Sequence, residues 1–136
     1  MSTIQVNIVS AETELFSGEV SLLVAPGAQG ELGIKPKHAP LLTNLKPGEV
    51  RIKRDGQEDE NIFVSGGYLE VQPNVVTILA DTAVRAHDID EAAAIEAKQR
   101  AEEALANRKS DMDVAHAQAE LAIAAAQLEL LRKLRR

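Results

Sequence analysis

The positions of glycine and proline divide this chain into two parts. All eight glycines and all five prolines lie before residue 74, and the stretch 88–136 contains neither. Because Gly and Pro mark turns, and because Pro interrupts helices, a long stretch without either can form continuous helix. The distribution predicts two domains: residues 1–86, built from short strands and tight turns, and residues 87–136, built from helix.

The composition argues against several classes of function. The chain has no cysteine, which excludes disulfides, thiol nucleophiles and cysteine metal sites and fits a reducing compartment. Its net charge of −6 argues against nucleic acid as the main partner. No segment approaches the roughly 20 apolar residues that span a bilayer, and the N-terminus lacks a basic signal-peptide region. We expect a cytoplasmic protein whose membrane contact comes only through partners.

Several short segments of the first part have the pattern of β-strands. They are Ile4–Val9, Glu19–Val24, Val50–Lys53, Asn61–Val64, Tyr68–Val71 and Val75–Leu79. Between the third and fourth, Asp55-Gly56 predicts a hairpin in which both central residues have positive φ. Short strands at this spacing predict an antiparallel sandwich or barrel. The core should be aliphatic, because aromatic residues make up only 2% of the chain.

The second part predicts an antiparallel pair of helices. Asp88, with Glu91 three residues later, has the spacing of a capping box and predicts a helix that ends near Asn107. Ser110 or Asp111 is a suitable cap for a second helix that reaches about Leu134. The apolar stripe of the second helix is Val114, Ala117, Leu121, Ala124, Leu128 and Leu131, and the first helix offers Ala94, Ala97, Ala101 and Ala104. Alanine buries little apolar area, so we expect a weakly held hairpin that can open.

The sequence shows no catalytic or metal-binding constellation. The three histidines, His38, His87 and His116, lack the spacing of metal ligands. Gly30–Gly33 lacks the Gly-Lys-Ser/Thr of a phosphate loop, and the context of Ser65 does not fit a nucleophile elbow. We therefore expect a non-catalytic protein of the two-domain α+β class, an N-terminal β-sandwich followed by a C-terminal helical hairpin, with no cofactor and no metal.

The chain ends in a group of cations that we call the basic tail, although the protein as a whole is acidic. The basic tail consists of Arg132, Lys133, Arg135 and Arg136. It can be interpreted as a binding site for an acidic partner. The other interpretation is that these cations only stabilise a helix C-terminus through the helix dipole. The sequence leaves both interpretations open.

Several motifs closely resemble the epsilon subunit of bacterial F-type ATP synthases. They are Phe16–Gly18, Gly30–Ile34, Pro36–Leu42, Lys46–Gly48, Ser65–Val71 and Leu79–Ala83. The resemblance extends over the whole chain and implies the same two-domain fold. It also implies a non-catalytic rotor subunit of the central stalk, at the cytoplasmic face of the bacterial inner membrane. Such a subunit couples rotation of the membrane ring to ATP synthesis in the catalytic head, and its extending hairpin can inhibit ATP hydrolysis.

The resemblance further implies roles for individual residues. Glu31 lies in the loop that in the family faces the rotor ring, while His38, Ala39 and Pro40 lie in the segment that faces the gamma subunit. The basic tail would meet acidic segments of the alpha/beta head when the hairpin extends. The predicted second helix, which ends at about Leu134, would be long enough to extend along the stalk.

One family motif is incomplete in this chain. Some members bind ATP through Ile/Leu-Asp-x-x-Arg-Ala at the start of the first helix. Ile89, Asp90 and Ala94 match this motif, but Ala93 stands where the motif has Arg, the group best suited to phosphate oxygens. Arg100, one to two turns further on, offers a partial replacement. The resemblance therefore implies weak ATP binding or none.

Two other functions stay open from the sequence. One is a free-standing adaptor: its β-sandwich binds a partner protein, and its hairpin tethers that partner. The other is a small-molecule module that senses ATP at the start of the first helix. Copurification with the gamma subunit and with membranes would separate a rotor subunit from an adaptor, and the replaced arginine argues against the sensor.

Overall fold

The computed structural model describes residues 2–107 and 111–135 of the chain. The chain divides into two compact units, Met1–Arg85 and Ala86–Arg136. The first unit consists of strands and turns, and the second consists of two long helices preceded by a single 3-10 turn. The predicted combination of a β-sandwich and a helical hairpin is confirmed.

Ten strands build the described part of the first unit. They are β1 (Ile4–Ser10), β2 (Glu14–Val20), β3 (Leu22–Gly27), β4 (Gly30–Ile34), β5 (Leu41–Leu45), β6 (Gly48–Lys53), β7 (Glu60–Val64), β8 (Gly67–Val71), β9 (Val75–Ala80) and β10 (Ala83–Arg85). Their order in the sheet is β10-β7-β6-β3-β5-β8-β9-β1-β2, and β4 pairs with β3 beside this path. The expectation of a wholly antiparallel sheet is wrong at one place, because β1 and β9 are parallel. These strands lie far apart in the sequence, and strand patterns alone carry no information on such a pairing.

The core of the first unit follows from the alternation along its strands. In β1, Ile4, Val6 and Ile8 are buried, and the polar residues between them are half-buried. The same alternation in β9 buries Val76 and Ile78. The predicted aliphatic character is confirmed, since Phe16 is the one aromatic residue of the main buried cluster in the described part of the chain.

The expected strand Glu19–Val24 is divided in the structure. Strand β2 ends at Val20, β3 begins at Leu22, and Ser21 lies between them. The backbone N–H and the hydroxyl of Ser21 both donate to the carbonyl oxygen of Lys53, each at 2.9 Å. The chain changes partners at this residue, because β2 pairs with β1 whereas β3 pairs with β6. An apolar run that is continuous in sequence therefore serves two different strand pairs.

The hairpin predicted at Asp55-Gly56 joins β6 to β7, but its turn differs from the expected type. Gly56 has a φ of +73°, whereas Asp55 is not among the residues with positive φ. The N–H of Gln57 donates to the carbonyl oxygen of Arg54, at 3.3 Å. Because the strands end at Lys53 and resume at Glu60, the loop has room for a turn that needs only one positive φ.

Two helices form the second unit, α1 (Glu91–Asn107) and α2 (Asp111–Leu134). The predicted cap of α1 is wrong: Asp88 belongs to the preceding 3-10 turn, and Asp90 caps the helix instead. The N–H of Ala93 donates to Oδ1 of Asp90 at 3.1 Å, the geometry of an N-cap side chain. Ser110, the alternative cap for α2, lies outside the described residues.

The stripe predicted between the helices is confirmed at four of its alanines. Five residues of the two helices are buried: Ala94, Ala101, Ala117, Ala124 and Leu130. Leu128 and Leu131, which the stripe included, are half-buried, and Ala104 is exposed. Leu130 lies about 120° around the helix from Ala124 at 3.6 residues per turn, so a single stripe does not include it.

Candidate functional site

Glu31 is the second residue of β4, just after the turn that joins β3 to β4. The structure thus places it in a strand rather than in a loop, opposite Pro26 of β3. Its side chain is exposed, and its Oε1 lies 4.0 Å from Nη2 of Arg51 in β6. Both Glu31 and Arg51 are near β3, one on each side, so only the strand order brings them together. An exposed carboxylate held by one long ion pair is available to a partner cation.

Glu31 lies at the edge of a shallow groove. The groove has a volume of about 320 Å³ and is lined by Gly27, Gln29, Gly30, Glu31, Leu32, Leu41, Leu42 and Thr43. Gly27 is required here, because a Cβ on it would lie 2.6 Å from the carbonyl oxygen of Gly30. Among the described residues of the first unit, Leu42 has the most exposed large apolar side chain, at 69%. An apolar side chain beside a carboxylate suits a protein surface with both apolar and basic groups.

The segment 35–40 joins β4 to β5 and carries His38, Ala39 and Pro40. The N–H of His38 donates to the carbonyl oxygen of Lys35, at 3.2 Å. Nδ1 of the His38 ring lies 2.7 Å from the carbonyl oxygen of Ala39, which can only accept, so Nδ1 is the donor. His38 is half-buried, and Ala39 and Pro40 are exposed. Glu31 and this segment lie at opposite ends of β4.

The residues of the incomplete ATP motif do not all come together in the structure. A groove of about 340 Å³ between the helices is lined by Ala93, Ala94, Ala97, Arg100, Glu120, Ile123, Ala124 and Gln127. Ala94 and Arg100 are thus in the groove, but Ile89 and Asp90 are not among its lining residues. The Asp90 carboxylate caps α1. The lining contains one cation, Arg100, and one carboxylate, Glu120, which is a poor balance for binding a polyphosphate.

Two cations of the basic tail, Arg132 and Arg135, form ion pairs of different kinds. Nη2 of Arg132 donates to Oε1 and Oε2 of Glu129, at 2.6 and 2.7 Å, on the same helix. This hydrogen bonding and the charge of Glu129 raise the pKa of Arg132 above its ordinary value. Arg135 instead reaches the other helix, where its Nη2 donates to Oε2 of Glu91 at 2.6 Å. Lys133 is exposed, and Arg136 lies outside the described residues.

The other two histidines, His87 and His116, each lie beside one carboxylate. Nε2 of His116 lies 2.7 Å from Oε1 of Glu120, and Nε2 of His87 lies 3.4 Å from Oδ1 of Asp88. Among residues 2–107 and 111–135, no group of three or more His, Asp or Glu side chains is placed to hold a metal ion. Within the same ranges, no helix is both long enough and apolar enough to cross a membrane.

Sequence reasoning missed the partners that surround these residues. Arg51 is separated from Glu31, and Glu91 from Arg135, by long stretches of sequence, and only strand order and helix pairing bring each pair near. The opposite charges at the start of α1 and the end of α2 could have predicted the pair of Glu91 with Arg135. In an antiparallel pair of helices, the first turn of one lies beside the last turn of the other.

Comparisons with known proteins match both units. The model of the ATP synthase delta/epsilon chain β-sandwich domain matches residues 3–86, and the model of the delta/epsilon chain long α-helix domain matches residues 87–131. The ATP synthase epsilon chain of Alkalilimnicola ehrlichii is 62% identical over 136 residues, which covers 100% of this chain and 97% of the relative. The epsilon chain of Halorhodospira halophila is 61% identical, with the same coverage of both chains.

A solved structure has the same fold. A chain in the cryo-EM structure of the Euglena gracilis mitochondrial ATP synthase, containing OSCP, F1 and the c-ring, superposes with a TM-score of 0.85. The match covers 95% of this chain and 81% of that chain, at 20% sequence identity. With two domain models that together match residues 3–131 and relatives about 60% identical over their full length, this chain belongs to the ATP synthase delta/epsilon chain family.

Proposed function

We propose that this chain is a non-catalytic central-stalk subunit of a proton-translocating bacterial ATP synthase. The observation that carries the proposal is identity of about 60%, over the whole chain, with bacterial proteins named ATP synthase epsilon chain. The subunit turns with the rotor at the cytoplasmic face of the inner membrane. It couples rotation of the membrane ring to ATP synthesis in the alpha/beta head.

The β-sandwich unit is the part that we assign to coupling. Glu31, exposed beside an apolar groove, is positioned to contact the polar loops of the rotor ring. The segment with His38, Ala39 and Pro40 contacts the gamma subunit. Two prolines, Pro36 and Pro40, fix φ in this segment, and a hydrogen bond closes its turn, so it presents a preformed surface.

The helical unit is the part that we assign to regulation. It extends from its closed form and brings the basic tail to acidic surfaces of the head, where it inhibits ATP hydrolysis. Support comes from the alanine contacts of the hairpin, which bury little apolar area, and from cations at the end of a 24-residue helix. At 1.5 Å per residue this helix is about 36 Å long. ATP binding between the helices is weak or absent, because Ala93 replaces the cation of the motif.

Reconstitution tests the assignment. ATP synthase prepared without this subunit is supplied with the full chain or with the fragment 1–86, and proton-driven ATP synthesis is measured in vesicles. We expect both to restore synthesis and to copurify with the gamma subunit. A free-standing adaptor would do neither, and a chain that fails to restore synthesis contradicts the proposal.

A point substitution tests the contact with the rotor ring. Glu31→Lys should lower the rate of ATP synthesis at a fixed proton gradient, because it places a cation where we assign a carboxylate. Glu14→Lys is the matched control, since Glu14 is also an exposed carboxylate of the same sheet but lies on β2, at the end of the strand order. Equal rates for the two variants would contradict the role of Glu31.

A further inference from the structure

One ion pair joins the open end of the helical hairpin. Glu91 is the first residue of α1, and Arg135 directly follows the last residue of α2. Nη2 of Arg135 lies 2.6 Å from Oε2 of Glu91, although the two residues are 44 positions apart in the sequence. The last residue of α1, Asn107, and the first residue of α2, Asp111, are at the other ends of their helices. This pair therefore lies where separation of the two helices begins.

We propose that the Glu91–Arg135 pair is a latch that holds the hairpin closed. In the closed hairpin the Arg135 guanidinium is held at Glu91, so an acidic partner must compete with Glu91 for it. Opening lets Arg135 exchange Glu91 for that partner. The latch itself concerns this chain alone, and its effect on ATP hydrolysis rests on the proposed function.

The tail cations differ in what opening does to them. Arg132 is bound to Glu129, which lies on the same helix, so this pair moves with α2 and is the same in both states. The Arg135 pair crosses between the helices and is lost when they part. Arg135 is thus a switching cation, while Arg132 contributes equally to both states.

Each member of the pair suits its own helix end. Asp and Glu are stabilised at a helix N-terminus and Arg at a C-terminus, and Glu91 and Arg135 have these stabilising positions in the open and the closed hairpin alike. The other buried residues of the two helices are mostly alanines that each bury little apolar area, namely Ala94, Ala101, Ala117 and Ala124, and Leu130 is the one buried leucine. An ion pair therefore makes up a larger share of the closing interaction than it would beside a leucine core.

The pair is weak enough to be opened. The side chains of Arg135 and Glu91 are 62% and 41% exposed, so solvent and salt screen their attraction. Exposed ion pairs of this kind change an equilibrium by about two- to fivefold. Such a latch shifts the ratio of open to closed hairpins without locking either state, and high salt weakens it.

The test measures the hairpin in the isolated full chain. The chain has no cysteine, so cysteines introduced at the exposed positions Ala92 and Ala125 carry a pair of spin labels, one on each helix. Pulsed electron–electron distances then give the open and closed fractions. Glu91→Gln and Arg135→Gln should each raise the open-to-closed ratio by about two- to fivefold. The double variant should add little to either single variant, because both remove the same interaction.

Arg132→Gln is the matched control. It removes the same charge one turn earlier, but its partner lies on α2, so the open fraction should stay unchanged. Circular dichroism verifies that all variants keep their helix content. An open fraction that stays constant in Arg135→Gln, or effects of the two single variants that add in the double variant, would overturn the latch.

The Glu91→Gln variant also distinguishes the latch from the proposed inhibition of ATP hydrolysis. It frees Arg135 without removing it, so ATP hydrolysis by the reconstituted complex should be inhibited more strongly than with the parent chain. If the open fraction rises and hydrolysis is unchanged, the latch stands and the inhibitory role in the proposed function is wrong. If the open fraction does not rise, the latch is wrong whatever the hydrolysis rate.

Discussion

Nη2 of Arg85, in β10, donates a hydrogen bond of 2.7 Å to the carbonyl oxygen of Leu15, in β2. These two strands stand at opposite ends of the strand order, so the bond links the first and last strands of the sheet. Glu60 supports Arg85 from β7 at 3.9 Å, and it also binds Arg54 at 3.0 Å. The guanidinium of Arg54 lies 5.4 Å from the centre of the Phe16 ring, next to Leu15. A charged cluster therefore closes the sandwich at its edge.

We expect Arg85→Ala to lower the free energy of unfolding by about 1–2 kcal/mol. A charge-assisted hydrogen bond is worth about 1.5–3 kcal/mol, and partial exposure of Arg85 reduces its contribution. Urea denaturation of the full chain, followed by circular dichroism, measures the change. Lys53→Ala is the control, because its pair with Asp59 is exposed and 3.9 Å long, and we expect a change below about 0.5 kcal/mol. Equal losses of unfolding free energy in the two variants would contradict the role of Arg85 in closing the sandwich.

Adjacent residues of β9 offer a direct test of which face carries the core. Ile78 is fully buried and Leu79 is 52% exposed. Ile78→Ala should lower the free energy of unfolding by about 2–5 kcal/mol, because it leaves a cavity. Leu79→Ala should cost less than about 1 kcal/mol, because half of its side chain already meets solvent. A larger loss at Leu79 than at Ile78, measured by the same denaturation, would mean that the alternation is misassigned.

The parts of the fold that the sequence predicted are those set by local pattern. Alternation along β1 and β9 identified the strands and their buried faces, and the absence of Gly and Pro identified the helices. Of β2 only Glu19 and Val20 were predicted, and strands β4, β5 and β10 were not predicted. They are short, and β4 has glycine at two of its five positions, so periodicity is weak. The parallel pairing of β1 with β9 depends on contacts that no local pattern encodes.

The candidate site was predictable only in part, for the same reason. The sequence identified Glu31, Arg100 and the basic tail as charged residues in notable positions. It did not show that Arg51 lies near Glu31, because a third strand separates them in the sheet. It also placed the cap of α1 at Asp88 rather than Asp90, since both residues suit an N-cap and only backbone geometry decides between them.

We expect the unaltered chain to bind ATP weakly or not at all, as measured by titration calorimetry. The groove between the helices offers one cation, Arg100, to a ligand that carries several negative charges. Ala93→Arg should raise the affinity severalfold, because Ala93 lines this groove. Ala92→Arg is the control, since it adds the same charge at a neighbouring position that is not among the lining residues. Micromolar binding by the unaltered chain, or equal gains in the two variants, would count against this prediction.

The basic tail should inhibit ATP hydrolysis through its charge. Replacing Arg132, Lys133, Arg135 and Arg136 together by Gln should relieve the inhibition in the reconstituted complex and leave assembly and ATP synthesis largely intact. Gln has a helix propensity close to that of Arg and Lys, so the substitution removes charge while it preserves the helix. The relief should be largest at low ionic strength, because salt screens the same attraction in the parent complex.

The competing explanation is that these cations only stabilise the C-terminus of α2 through the helix dipole. That effect is worth about 0.3–1 kcal/mol for each charge near the terminus. It predicts a small loss of helix stability in the quadruple variant and no change in hydrolysis. Thermal unfolding of the isolated chain and hydrolysis rates of the complex, measured on the same variant, separate the two explanations. If the variant complex hydrolyses ATP at low salt at the same rate as the parent complex, the basic tail stabilises the helix and does not inhibit hydrolysis.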